Sequence, residues 1–63
     1  MILPEHPLYL RALEVFGLED SVKHWFSTPL IALGGKSPNE FVDQGKEQEV
    51  ENLLNRIEYG IFS

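Results

Sequence analysis

Residues 37–60 read SPNEFVDQGKEQEVENLLNRIEYG, and the order of residue types along them decides the fold. Ser37, Pro38 and Glu40 form a helix start: a serine at N-cap, a proline at N1 whose missing N–H has no intrahelical use, and a glutamate at N3 placed to close a capping box. A short helix carrying Phe41 and Val42 is expected to follow. Asp43 and Gly45 then turn the chain into the longest helix, from about Gln44 to Tyr59. There Val50, Leu53, Leu54 and Ile57 recur at i, i+3, i+4 and i+7, and Gly60 stands as the C-cap.

Upstream of this stretch the punctuation is equally local. Pro7 fits the first turn of a helix running to about Phe16, with Leu8, Tyr9, Ala12, Leu13, Val15 and Phe16 on one broad arc, Arg11 and Glu14 opposite, and Leu10 on the far edge. Gly17 closes it. A second helix spans roughly Glu19 to Ser27, opened by acids at the positive end of its dipole, with Leu18, Val22, Trp25 and Phe26 on one face. It stops before Pro29, because Thr28 is pushed toward extended geometry by the proline that follows. Thr28 to Gly35 is expected to be an apolar loop, with Gly34 and Gly35 permitting φ > 0. No β-period run and no internal repeat occurs. The expected fold is therefore all-α: one small domain over residues 1–63, of about four helices, the last one longest.

The chain has 63 residues, a size at which only about 60% of the unfolded surface is buried. It has no cysteine, and His6 and His24 are too few for a zinc site, so neither a disulfide nor a structural metal supplements the core. A binding partner is the natural expectation for such a domain. Lys+Arg 5 against Asp+Glu 10 gives net charge −5, which opposes phosphate recognition, so nucleic-acid binding is not expected of this domain alone. No apolar run approaches the ~18 residues that span a bilayer, and no secretory leader is recognisable at the first residues, which points to a cytoplasmic protein with no membrane role.

No catalytic, cofactor-binding or metal-ligating residue is identified. His24 faces away from the apolar arc, and the cysteine-free chain offers only Ser21, Ser27, Ser37 and Ser63 as nucleophile candidates, of which Ser37 is already claimed by a cap. Gly34-Gly35-Lys36-Ser37 precedes a helix but lacks the first glycine of a phosphate loop, since position 30 is Leu30 and no strand leads into it. Trp25, Phe26, Phe41, Leu53 and Leu54 read as core, and truncating Trp25 to alanine is expected to cost about 3 to 5 kcal/mol. Glu47, Glu51 and Glu58 share a stripe along the last helix, beside the apolar face, with Gln44 and Asn55 nearby. Either it is a solvated face, or it is an acidic rim suited to a basic partner. Ile61 and Phe62 are apolar beyond the last helix stop.

Several signals occur in order: Val15-Phe16-Gly17; a W-x-x-x-P element at Trp25 and Pro29; an L-G-G-x-x-P element at Leu33, Gly34, Gly35 and Pro38; and Arg56-Ile57-Glu58-Tyr59-Gly60. This combination resembles the C-terminal toxin-binding domain of the MbcA/ParS/Xre antitoxins, over nearly the whole chain from about Leu8. The resemblance implies a bacterial type II antitoxin that binds and sterically blocks a RES-domain toxin, an enzyme that degrades NAD or transfers ADP-ribose. Members commonly carry a helix-turn-helix ahead of this domain, for which 63 residues leave no room, so the chain is expected to be either a fragment or a short stand-alone form, and operator binding does not carry over.

Mapped residue by residue, the resemblance places toxin binding on Arg56, Tyr59, Gly60, Ile61 and Phe62, with Glu47, Glu51 and Glu58 as rim contacts. Trp25, Pro29, Leu33, Gly34, Gly35 and Pro38 are the structural part of the motif. The partner is a protein, and no cofactor or small-molecule substrate is implied. Two other readings stand beside it. One is a homodimerisation module using Ile2, Leu3, Leu10, Leu30 and Ile31. The other is a DNA-binding helix-turn-helix, which lacks a basic recognition helix.

Overall fold

Each helix boundary traces to a cap or a breaker in the sequence. The computed structural model describes residues 2–60. Helix α1 spans Pro7–Phe16, α2 Glu19–Ser27, α3 Pro38–Asp43 and α4 Glu47–Gly60, with one 3-10 turn at Ile31–Leu33. Among the described residues there is no strand, only an isolated antiparallel bridge between Leu30 and Lys36. The fold is all-α, with four α-helices of which the last is the longest.

Pro7 occupies the start of α1, and the His6 side chain caps it, Nδ1 accepting the Leu8 N–H at 3.0 Å. Gly17 ends the helix at φ 82°, a left-handed value that a β-carbon would disfavour, and donates its N–H to the Leu13 carbonyl at 2.8 Å. At the start of α3 the capping box is closed in both directions: the Ser37 N–H donates to Glu40 Oε2 at 2.7 Å, and the Glu40 N–H donates to Ser37 Oγ at 3.3 Å.

Three expected element bounds need correction. The last helix begins at Glu47 rather than Gln44, because Gly45, at φ 76°, ends α3 instead of opening α4. The Gly45 N–H donates to Val42 O at 3.0 Å and the Lys46 N–H to Phe41 O at 2.8 Å, the paired bonds of a Schellman ending, which occupies the chain as far as Lys46. The Lys46 ammonium lies 5.4 Å from the centre of the Phe41 ring over this same turn. Gly60 is not a cap but a helical residue of α4. The segment after Pro29 is also more ordered than a loop. Leu30 N–H donates to Lys36 O, and Gly35 N–H to Leu30 O, closing a tight clasp around the 3-10 turn.

The helices pack chiefly in cyclic order: α1 on α2, α2 on α3, α3 on α4 and α4 back on α1. Their shared centre holds Leu8, Tyr9, Ala12, Val22, Phe26, Val50 and Leu54, joined by Ile2 from the leading segment. Ile2 is therefore part of the core rather than a spare apolar residue, and its N–H donates to Asn39 Oδ1 at 3.0 Å. Trp25 packs at the margin, half-buried, edge-on to Phe26 at 5.0 Å and tilted on Phe16 at 5.5 Å. Its truncation thus falls at the low end of the expected range, about 3 kcal/mol.

Candidate functional site

The last two turns of α4 carry Arg56, Tyr59 and Gly60, and their positions follow from how the helix is held. Residues three apart on a helix are surface neighbours, so Arg56 and Tyr59 lie side by side, and both are exposed, Tyr59 at 69%. Ile57 is half-buried beneath them. Ile61 and Phe62, the remaining two residues expected to bind, lie outside the described residues.

Glu58 behaves differently from its neighbours. The Arg11 guanidinium of α1 donates to it through two nitrogens, Nη1 to Oε2 at 2.9 Å and Nη2 to Oε1 at 2.8 Å, and Nη2 also donates to Asn55 Oδ1 at 3.0 Å. This bidentate pairing is the strong, orientation-specific form of an arginine–carboxylate contact. It holds the Glu58 carboxyl below the usual carboxylate range, chiefly through the hydrogen bonds from Arg11, and raises the Arg11 pKa in turn. Glu58, expected as a rim contact, is thus directed at α1 rather than outward. The other two rim residues stay available: Glu51 is exposed, Glu47 is half-buried, and neither is ion-paired among the described residues.

The structural part of the motif lies in the clasp and at the start of α3. Pro38 is fully buried at the first position of α3, Leu33 is buried, and Gly34 and Gly35 take φ 69° and 86° in the clasp, while Pro29 is exposed just past the end of α2. Sequence reasoning missed Arg11. The helical period sets it opposite the apolar arc, and the contact it makes spans 47 residues, a separation at which no local period gives a signal. It also overlooked the capping role of His6, although a histidine immediately before a helix-initiating proline stands at an N-cap position. His24 is exposed beside a shallow aromatic depression formed with Phe16 and Trp25. No helix among the described residues is long and apolar enough to cross a membrane.

The chain matches the family model of the antitoxin Xre/MbcA/ParS C-terminal toxin-binding domain over residues 11–60. The matched region begins at Arg11 and so contains both partners of the Arg11–Glu58 clamp. No curated protein and no solved structure gives a match. The chain belongs to this antitoxin family, as a toxin-binding domain whose partner is a protein toxin.

Proposed function

We propose that this member of the Xre/MbcA/ParS antitoxin family neutralises a RES-domain toxin by placing the end of α4 across its active site, so that NAD cannot enter. The observation that carries this reading is Tyr59. A large aromatic stands mostly exposed on a helical turn whose orientation is fixed one residue earlier by Glu58 and Arg11. A rigidly presented aromatic beside an arginine has the composition of an interface hot spot. Arg56, Tyr59 and Gly60, continued by Ile61 and Phe62, form the blocking element. Glu47 and Glu51 form an acidic flank for a toxin entrance that binds the pyrophosphate of NAD and is therefore cationic. The domain inhibits and performs no catalysis, and the pair acts in the bacterial cytoplasm.

The test measures NAD consumption by the cognate toxin in the presence of the domain. Removal of Ile61 to Ser63 together with Tyr59→Ala is expected to release toxin activity while the circular dichroism spectrum and melting midpoint stay those of the parent. Complete inhibition by that variant would sink the proposal.

A second reading, self-association, is favoured by the exposure of Leu3 at 60%, Leu10 at 51% and Ile31 at 98%. Ile2 is removed from this set by its burial, and Leu30 is half-buried. Light scattering decides it: a monomer mass at tens of micromolar excludes a homodimer as the working form.

A further inference from the structure

A shallow depression of about 420 Å³ lies between the end of α1 and the outer face of α2, lined by Phe16, Asp20, Ser21, His24, Trp25 and Thr28. Positions 20, 24 and 28 are i, i+4 neighbours, as are 21 and 25, so the α2 side of the depression is one stripe about two turns long. No residue of α4 lines it. Trp25, half-buried, is held against two other rings, tilted on Phe16 at 5.5 Å and edge-on with the buried Phe26 at 5.0 Å. Its indole is fixed before any partner arrives.

The charge on this wall has one sign. Asp20 is its only acid, neither lysine nor arginine lines it, and the exposed Asp20 carboxylate has no hydrogen-bond or ion-pair partner among the described residues. Its place in the first turn of α2 accounts for an acid there, but not for two rings lining the same depression. Ring faces attract cations, the indole most strongly, so an anion would meet repulsion from rings and carboxylate alike. A wholly apolar guest would cover the carboxylate without pairing it. A guanidinium suits both, because its plane stacks on an aromatic ring, its N–H fork matches a carboxylate, and its methylene stem covers apolar surface.

We propose that this depression is a second contact for the toxin and takes an arginine side chain from it, the guanidinium between Trp25 and Asp20 and the stem against Phe16. All six lining residues fall within the region matched by the toxin-binding family. A domain of net charge −5 is complementary to a partner that presents cations. A fixed aromatic beside an unpaired carboxylate is the receiving half of an arginine hot spot. The contact rests on the toxin being the partner, and not on the end of α4 blocking the active site.

Two measurements on the full chain test it, at about pH 8, where an imidazole is uncharged. The first uses Trp25, the only tryptophan, whose fluorescence reports on the depression alone. The peptide acetyl-Gly-Arg-Gly-amide is expected to change that fluorescence saturably, and its citrulline counterpart, which lacks the charge, to bind about fivefold more weakly. The second is affinity for the cognate toxin. Asp20→Asn should weaken it about tenfold and flatten its dependence on salt, with the melting midpoint kept. Should Asp20→Asn disturb α2, His24→Lys, at an exposed position, sets a fixed cation in the wall and should weaken toxin binding by at least about tenfold. Weakening by these variants but not by Tyr59→Ala upholds the depression and counts against the α4 reading; the reverse overturns the depression. Equal action of the arginine and citrulline peptides up to ~100 mM would overturn it as well.

Discussion

Along α4, Val50 and Leu54 are fully buried in the centre shared with α1 and α2, whereas Arg56, Tyr59 and Gly60, within the next two turns, are exposed. The helical period is the same in both parts, but the means of attachment changes. Burial holds the first part. The directed pairing of Glu58 and Asn55 with Arg11 holds the second. The difference teaches that the far end of this helix is positioned by polar geometry, with the Tyr59 ring left mostly exposed. Measurements can break that division at several points.

The largest effect is expected at Leu54. A domain of this size has roughly 3–9 kcal/mol of stability, and Leu54→Ala should remove about 3 kcal/mol, leaving the domain at the edge of unfolding in a urea titration. A loss under about 1 kcal/mol would mean that burial does not hold α4. Next is Ser37→Ala, which opens the capping box of the short helix packed under α4. It should cost about 1 kcal/mol in the same titration.

Glu58→Gln tests the polar half. Because Arg11 holds the Glu58 carboxyl below its ordinary value, the folded state binds fewer protons there than the unfolded state as acid is added. Its stabilisation is present above about pH 4.3 and is lost as pH falls through the lowered value. Wild-type stability should therefore fall more steeply than that of Glu58→Gln between about pH 5 and pH 3. Parallel curves would remove the clamp from the comparison. The smallest effect on stability belongs to Tyr59→Ala, within about 0.5 kcal/mol, since the ring is mostly exposed. A drop of about 2 kcal/mol would show the ring to be part of the fold rather than a free contact surface.

What was legible in the sequence was what local chemistry fixes. The bounds of α1 and α2 follow from Pro7, Gly17 and Pro29, each acting within a few residues, and the Ser37–Glu40 box is likewise local. The start of α4 is not legible, because Gly45 suits either the end of one helix or the turn into the next. The bond from Lys46 back to Phe41, which decides the matter, is a product of the folded turn. The roles of Ile2 and Arg11 are hidden for a related reason. Their partners, Asn39 and Glu58, lie 37 and 47 residues away, and the helical period places a side chain on a face without saying what faces it. Of the candidate site, the apolar and aromatic character of residues 56–62 was readable. The turning of Glu58 inward, which separates structural from available acid, was not.

The long reach from Arg11 to Glu58 also has a meaning in time. Helices α1 and α2 are joined by two residues and can meet early at small entropic cost, while docking α4 on α1 closes nearly the whole chain into a loop. Contacts made last appear in the rate of escape rather than the rate of arrival. Val22→Ala should therefore slow refolding, and Leu54→Val should mainly quicken unfolding. A chevron in which both variants slowed refolding alike would reverse that order. With α4 docking last, the clamp behaves as a latch: it sets how long the folded domain lasts once formed, and with it how long the face beside Tyr59 remains in place.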